Sequence, residues 1–422
     1  MRRLALWTVA LALALLAGVL LLNLRGETGG RPGAEAPATP ESVARGAYLA
    51  RLGNCMACHT GRGGAPFAGG RAIDTPFGTV YASNLTPHPR AGIGGWSRDD
   101  FWRALHEGRS RDGRLLTPAF PYANYTRVAR ADADALYDYL RSLPAVDRAN
   151  TPHRLRWPYS TQAALAVWRA LYFTPADAPA RAPVGERERG AYLVQALGHC
   201  AACHSARNAL GASSNMMDLS GGLIPMQNWY APALNSPSEA GVADWPLAEI
   251  ERLLASGVSA SATVLGPMAE VVLHSTQHLT PADLRAMAVH LQSLPQHEAG
   301  AAPPTGPRAS SQLMARGAKL YGDRCASCHG ERGEGVRGAY PALAGNRAVT
   351  LPVTANLVQV VLHGGFAPAT AGNPRPFGMP PFATLMSDAD VAAVLSYVRG
   401  AWGNQAPAVS ELDVGRQRST TY

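Results

Sequence analysis

The strongest hydrophobic pattern lies at the N-terminus. After Arg2 and Arg3, the stretch LALWTVALALALLAGVLLLNL fills residues 4–24, interrupted only by Thr8 and Asn23. An α-helix rises about 1.5 Å per residue, so this run is about 30 Å long, the thickness of a bilayer's hydrocarbon core. A cleaved secretory signal has a shorter apolar core and a small-residue cleavage site, which the following NLRGETGG does not supply. We therefore favour a retained membrane anchor over a cleaved signal. In both cases the two arginines stay inside and the rest of the chain is exported.

Beyond this run, apolar positions follow the helical period in three similar units. The units open with ARGAYLARLGNC, ERGAYLVQALGHC and ARGAKLYGDRC, and each ends in a closing helix, predicted at residues 131–144, 280–295 and 387–402. Thr280 with Pro281, and Ser387 with Asp390, are typical first-turn signals of the last two helices. The intervening stretches are rich in glycine, proline and asparagine and show no convincing strand alternation. The pattern predicts a mainly α protein of three tandem helical domains with long loops, preceded by one membrane helix.

Composition shifts between these units set the predicted domain boundaries. The predicted segments are an anchor or signal (1–24), a flexible tether (25–40), domain 1 (41–150), a linker (151–187), domain 2 (188–295), a second linker (296–310), domain 3 (311–402) and a C-terminal tail (403–422). The first linker holds an apolar helical stretch with Trp157, Trp168, Tyr172 and Phe173. This stretch either packs between domains or is a docking face for a partner or the membrane surface.

The charge balance adds little to this picture. The formal net charge is +8, and Lys319 is the only lysine, so arginine carries almost all the positive charge. There is no basic tract and no nucleic-acid-binding motif, which disfavours a nucleic-acid partner. A positive face that docks an acidic redox partner is compatible with the charge.

The six cysteines form three Cys-x-x-Cys-His motifs and none is left over. The motifs are Cys55, Cys58 and His59; Cys200, Cys203 and His204; and Cys325, Cys328 and His329. A structural zinc site needs four ligands, usually from two such pairs, and three pairs do not combine in this way. A redox dithiol does not need a histidine after each second cysteine, and a disulfide scaffold fits a chain of this length poorly.

Haem explains each part of the motif. Two cysteines three residues apart can form thioethers to the vinyl groups of one porphyrin, and the adjacent histidine reaches the iron as proximal ligand. The sequence therefore predicts three covalently bound c-type haems.

Electron-transferring haems usually carry a sixth ligand, and methionine opposite histidine raises the reduction potential. In the second and third units Met268 and Met379 precede the closing helix by a short interval and are the predicted sixth ligands. Five other methionines of these units are interpreted as packing residues: Met216, Met217, Met226, Met287 and Met386.

The first unit has no such methionine, because Met56 lies inside the motif itself. The equivalent position in LLTPAFPYANY is Phe120, which cannot bind iron. Haem 1 is therefore expected to be five-coordinate or to use another group, with His88 and His106 the nearby histidines. We expect His106 on a helix face and His88 in a loop, and we expect a lower potential for this haem than for the others.

At this level the sequence resembles a known family. Residues 41–410 are similar to the tri-haem cytochrome c subunits of membrane-bound periplasmic dehydrogenases, through YASNLTPHPRAGIGGWSRDDF, LLTPAFPYANYT, GPMAEVVLHSTQHLT and MPPFATLMSDADVAAVLSYVR. The resemblance implies three cytochrome c-like domains. It also implies a catalytic partner of flavin, quinone-cofactor or molybdenum type that oxidises an alcohol, a sugar acid, sorbitol or an aldehyde. Electrons would pass to ubiquinone or a terminal oxidase at the periplasmic face of the inner membrane. In that family a methionine stands where this chain has Phe120.

Electron transfer is also the function that the residues alone favour. No nucleotide-binding glycine motif and no nucleophile–base pattern is present, so substrate oxidation is expected on another polypeptide. A free-standing, membrane-tethered carrier between quinol and oxidase is the first alternative. A haem enzyme or gas-binding protein that uses the haem near Phe120 is the second, although no distal acid–base pair is evident.

Overall fold

The computed structural model describes residues 2–24, 37–177, 179–213, 218–297 and 306–419. The apolar N-terminal run forms helix α1 (Arg2–Leu24). Within it, Leu6–Leu24 is long and apolar enough to cross a membrane, and only 6% of its most apolar part is buried against the rest of the protein. An anchor and a signal sequence both satisfy this criterion. The predicted tether falls largely on residues outside the described ranges.

The following segment folds into helices beside a small antiparallel sheet. Its elements are α2 (Pro40–Leu52), α3 (Cys55–His59), β1 (Ala72–Thr75), β2 (Gly78–Tyr81), α4 (Arg98–Glu107), α5 (Tyr122–Tyr125), α6 (Arg130–Ser142), β3 (Arg154–Leu155) and α7 (Gln162–Tyr172). Strand β2 pairs with both β1 and β3, with Ile73 opposite Val80 and Thr79 opposite Arg154. Thr39 and Ser97 form capping boxes that fix where α2 and α4 begin.

The rest of the chain has a similar composition of elements. They are α8 (Glu186–Gln195), α9 (Ala201–His204), β4 (Gly222–Ile224), β5 (Trp229–Ala231), α10 (Leu247–Ser256), α11 (Pro267–His274), a 3₁₀ turn (Thr276–His278), α12 (Pro281–Gln292), α13 (Ser311–Arg324), α14 (Ala326–His329), α15 (Arg347–Thr350), α16 (Ala355–His363), β6 (Gly365–Phe366), β7 (Gly378–Met379), α17 (Asp388–Gly400) and α18 (Glu411–Arg418). The protein is mainly α, as predicted. Short strand pairs, which the sequence pattern did not reveal, occupy parts of the long loops.

The three predicted closing helices are present as α6, α12 and α17. Their bounds lie within a few residues of the predicted ones. The two predicted caps are also confirmed: the Thr280 hydroxyl accepts the Asp283 N–H, and Ser387 forms a capping box with Asp390.

Each closing helix crosses a lead-in helix at a glycine. The Cβ of an alanine at Gly46, Gly190 or Gly317 would overlap the carbonyl oxygen of Ala135, Ala286 or Ala393, respectively. The backbones of α2 and α6, of α8 and α12, and of α13 and α17 therefore touch directly. These glycines belong to the repeated Arg-Gly-Ala of the lead-in segments, so the sequence repeat is a repeat of helix crossings.

An ion pair accompanies each crossing. The arginine immediately before each glycine pairs with an aspartate in the first turn of the closing helix: Arg45 with Asp132, Arg189 with Asp283, and Arg316 with Asp390. Arg189 is bidentate, with Nε and a terminal nitrogen each 2.8 Å from a carboxylate oxygen. A carboxylate at a helix N-terminus also interacts favourably with the helix dipole, so the pair fixes the crossing at that end.

Cα packing divides the chain into two compact units. One comprises the described residues of 1–184, 192–202 and 207–216, and the other comprises the described residues of 185–191, 203–206 and 217–422. In the second of these compact units, a hydrophobic cluster is built from α13, α16 and α17 and includes Val409 and Val414. The segment predicted as a C-terminal tail thus contributes α18 to this core. Its start is set by a Ser410–Asp413 capping box that the sequence interpretation overlooked.

Candidate haem sites

Each Cys-x-x-Cys-His motif forms one short helical turn after a lead-in helix. The turns are α3, α9 and α14, and none of the six cysteines forms a disulfide. Burial raises the pKa of Cys55 to about 12 and that of Cys325 to about 11, so both thiols are neutral at pH 7. No cluster of three His, Cys, Asp or Glu side chains that could hold a metal ion occurs within the described ranges. Each motif thus presents one pair of thiols on a single helical turn.

The histidine of each motif is oriented by a backbone carbonyl. Nδ1 of His59, His204 and His329 lies 2.7 Å from Ser83 O, 2.7 Å from Pro232 O and 3.0 Å from Pro341 O, respectively. A carbonyl oxygen only accepts hydrogen bonds, so Nδ1 carries the proton in each ring and Nε2 keeps its lone pair. This is the tautomer that ligates iron through Nε2.

These carbonyl residues are functional positions that sequence reasoning missed. Ser83 and Pro232 follow the second strand of a hairpin, β2 or β5, in the similar segments Tyr-Ala-Ser and Tyr-Ala-Pro. Pro341 lies in the related AYPAL, which has no strand in front of it. The recurrence of Tyr, Ala and Leu in a five-residue segment after each motif is the signal that could have located them.

The residues present fit haem c at each motif. The two cysteines of each motif form no disulfide and are three residues apart on one turn, and the ring tautomer leaves Nε2 available. Burial lowers the pKa of His59 and His204, which favours the neutral imidazole that a metal requires. When bound, haem c supplies a one-electron redox centre, and the cysteines and histidine of the motif would hold it.

The methionines divide into two groups by their surroundings. Met268 lies half-buried in the first turn of α11. Met379 is the half-buried last residue of β7 and packs against the hydrophobic cluster of α13, α16 and α17. Met287 and Met386 are buried in the interior, with 3% and 5% of their surface exposed, as expected for packing residues. Met226 is 54% exposed, so its interpretation as a packing residue is wrong. Met216 and Met217 lie outside the described residues. Ligation by Met268 and Met379 stays a prediction.

In the first compact unit, Phe120 lines a small pocket with Trp168, Tyr172 and Arg207. The ring centroid of Phe120 is 5.2 Å from that of Tyr125. Burial raises the pKa of Tyr125 well above its usual value, and the thiolates of Cys55 and Cys58 would raise it further. Phe120, at the position equivalent to a methionine ligand, is therefore in contact with a buried tyrosine near the first motif.

The two candidate histidines of this unit have other contacts. His88 accepts the Ala91 N–H at Nδ1 (3.0 Å), and its Nε2 lies 3.5 Å from Asp147 Oδ1. His106 is buried on α4, with Nδ1 2.7 Å from Thr126 O and its ring stacked on Trp102. His106 thus lies on a helix face and His88 in a loop, as expected. The sixth ligand of haem 1 stays undecided between them and an open position.

Comparison with known proteins gives the class first. The cytochrome c family model matches residues 314–402, which contain the third motif and Met379, so this segment is a cytochrome c domain. The chain is 37% identical to the cytochrome c subunit of quinone-type alcohol dehydrogenase from Gluconobacter oxydans, over 90% of this chain and 82% of that protein. It is also 37% identical to the gluconate 2-dehydrogenase cytochrome c subunit of Pantoea cypripedii (89% of each chain). Identity to the fructose dehydrogenase cytochrome subunit of Gluconobacter japonicus is 33%, over 90% of this chain and 83% of that protein.

The chain therefore belongs to the family of cytochrome c subunits of dehydrogenases. Members of this family are electron-transfer subunits of dehydrogenase complexes and not the catalytic subunits. Haem c is accordingly the cofactor, as the motifs predicted.

Proposed function

We propose that this protein carries three haems c in three cytochrome c-like domains and is the electron-transfer subunit of a periplasmic dehydrogenase anchored by α1. It accepts electrons from a separate catalytic subunit that oxidises an alcohol, a sugar acid or an aldehyde, and passes them to ubiquinone or a terminal oxidase. The observation that carries the proposal is the threefold recurrence of one geometry. Each motif histidine donates Nδ1–H to a carbonyl, and each unit has its glycine crossing and its Arg–Asp pair.

Within this proposal the haems differ in their sixth ligands. Met268 serves the second haem and Met379 the third, and the first haem lacks a methionine because Phe120 occupies its position. A haem with methionine opposite histidine has a higher potential than one that is five-coordinate or bis-histidine. The first haem is therefore the low-potential member of the set.

The pocket beside Phe120 supports a quinone as acceptor. Its lining combines the rings of Phe120, Trp168 and Tyr172 with the cation of Arg207. Asn124 and Ser213 add polar side chains to the lining. Apolar walls with a few polar groups are typical of sites for small aromatic ligands. Trp168 and Tyr172 belong to α7, which packs against the apolar helix α1, so a lipid-soluble acceptor would approach from that side.

Gentle detergent extraction of the tagged protein from its native membranes tests the assignment. We expect a flavin, quinone-cofactor or molybdenum dehydrogenase to co-purify at equal stoichiometry and to reduce the haems when its substrate is added. A tri-haem protein that purifies alone and is still reduced by quinol would instead establish the free-standing carrier.

The first haem has its own test in Phe120→Met. A methionine at this position would convert an open or histidine-ligated iron into a methionine-ligated one. We expect a changed EPR spectrum for one haem and a raised potential, with the other two unaltered. An unchanged spectrum would contradict the assignment of position 120 to the distal side of haem 1. Carbon monoxide binding to the reduced native protein separates an open iron from a histidine-ligated one.

A further inference from the structure

The outer face of α7 is apolar and exposed. Ala163, Val167 and Leu171 are spaced four residues apart and therefore share one face of the helix. All three are exposed, Val167 to 46% and Leu171 to 63%. The surface face of a soluble helix normally carries charged or polar residues, and this one carries none.

The inner face of the same helix packs against the rest of the protein. Trp168 donates its indole N–H to Leu210 O (2.9 Å), and its ring packs edge-on against Tyr122. Arg169, the single charged residue of α7, is 2% exposed and lies 4.8 Å from the centroid of Phe173. The helix thus turns its cation inward and its aliphatic residues outward, the reverse of the usual arrangement in water.

The position of α7 relative to α1 indicates what covers this face. The two helices pack on each other, and the Asn23 amide donates to Ala166 O (2.9 Å) near the middle of α7. Asn23 lies in the last turn of α1, where the candidate span Leu6–Leu24 ends. The apolar face of α7 is therefore at the level where the apolar helix would leave the hydrocarbon.

The segment before α7 has the composition of a membrane interface. Trp157 is 81% exposed and Tyr159 is 37% exposed. Indole and phenol rings concentrate at the headgroup level of bilayers, because they combine an apolar body with a polar group. Exposed Arg154 and Arg156 lie beside them and suit lipid phosphates.

We propose that α7 and the preceding Trp157 and Tyr159 form an interfacial membrane-binding element, with Val167 and Leu171 inserted at the boundary between headgroups and acyl chains. The occupant of the face is the lipid bilayer, and α7 continues the membrane contact that α1 begins. The inference rests on the proposed retention of α1 as an anchor.

Nitroxide labelling of single introduced cysteines tests the inference on the full-length holoprotein. The native cysteines are consumed as thioethers, so unmodified protein treated with the label gives the background. Leu171→Cys reports on α7, Leu13→Cys on the interior of the span, and Ser142→Cys, at the exposed end of α6, on the aqueous phase. The proteins are reconstituted in vesicles of phosphatidylethanolamine and phosphatidylglycerol, and collisions with oxygen and with a water-soluble nickel chelate are measured by EPR.

We expect residue 13 deep in the bilayer, residue 142 in water and residue 171 about 5–10 Å below the headgroup boundary. Residue 171 as accessible to nickel as residue 142, with residue 13 still deep, would overturn the inference and leave the anchor intact. Residue 171 shielded from both reagents would assign the face to a protein contact, within this chain or with a second copy, and also overturn the inference. A water-exposed residue 13 would refute the anchor itself, and with it the inference.

Discussion

At the scale of single residues, the proximal histidines show how the backbone selects a chemical state. A free imidazole can carry its proton on either nitrogen, and only the Nδ1–H form presents Nε2 to iron. The carbonyls of Ser83, Pro232 and Pro341 make that choice by accepting from Nδ1. Because the acceptor is a main-chain atom, residue 83 can be serine where residues 232 and 341 are proline, and the geometry is kept.

The methionine ligands can be tested one residue at a time. Met379→Leu keeps a similar volume, so we expect it to cost less than about 1.5 kcal/mol of stability. It removes the thioether, so one haem should become high-spin and its potential should fall on the order of 0.1 V, within the range of about 0.8 V that axial ligands span. Met268→Leu should do the same for a second haem.

The matched control is Met386→Leu, at a buried position of the same unit as Met379. It should leave all haem spectra and potentials unchanged. A spectral change in Met386→Leu, or none in Met379→Leu, would show that the ligand has been assigned to the wrong methionine. EPR and a redox titration supply both readouts.

His290 makes stability depend on pH. It is 8% exposed on α12, its buried Nε2 has no hydrogen-bond partner among the described residues, and burial, followed by the charge of Arg187, lowers its pKa in the folded state. The unfolded state takes up the proton near pH 6.5 while the folded state stays neutral, so stability falls as pH drops below that value, by at most about 1.4 kcal/mol per pH unit. Urea unfolding at pH 7.5 and 5.5 should show a smaller loss in His290→Leu than in the wild type. An equal loss in both would remove His290 as a cause.

At the scale of elements, each unit depends on two helices that meet backbone to backbone. The glycine allows the two backbones to touch. The neighbouring Arg–Asp pair places this contact near the N-terminus of the closing helix. In α13, Gly317 lies against α17, and an added Cβ would also come within 2.6 Å of Tyr397 Cβ. Gly322, five positions further along the same helix, has nothing within 4 Å of its added Cβ.

These two glycines form an internal comparison. Gly317→Ala should destabilise the third unit by about 1–3 kcal/mol or more, because α13 and α17 must move apart. Gly322→Ala should stabilise it by about 0.5–1 kcal/mol, because alanine is the better helix former at an open position. Denaturant unfolding followed by helical ellipticity and haem absorbance measures both. Similar effects of the two substitutions would mean that the crossing is not held by close backbone contact.

Some of these elements could be predicted from the sequence, and others could not. The closing helices α6, α12 and α17 were predicted within a few residues, because helical periodicity and caps are local signals. Strands β6 and β7 have two residues each, too few for an alternating pattern. The arginine–aspartate pairs join positions 74–94 residues apart. Their residues were visible in the repeats, but their pairing depends on the helix crossing and not on any local pattern.

At the scale of the whole molecule, the motifs predict covalent haems, but the number bound is a property of the complete chain. The family model matches only residues 314–402, around the third motif. The first two motifs nevertheless share its histidine–carbonyl geometry and its helix crossing. A long-loop domain with a small apolar core gains much of its stability from the haem, so loss of one haem is expected to unfold mainly its own unit.

Haem stoichiometry therefore tests the architecture directly. Iron and pyridine-haemochrome analysis of the wild-type protein should give three haems per chain. Replacing both cysteines of one motif by alanine, in turn at 55 and 58, 200 and 203, or 325 and 328, should give two. The haems that remain should keep their potentials, because each is ligated within its own unit. Loss of more than one haem from a single double substitution would show that the units do not bind haem independently. If the wild-type protein binds fewer than three haems per chain, the vacant motif is the one at which the alanine substitutions leave the haem count unchanged.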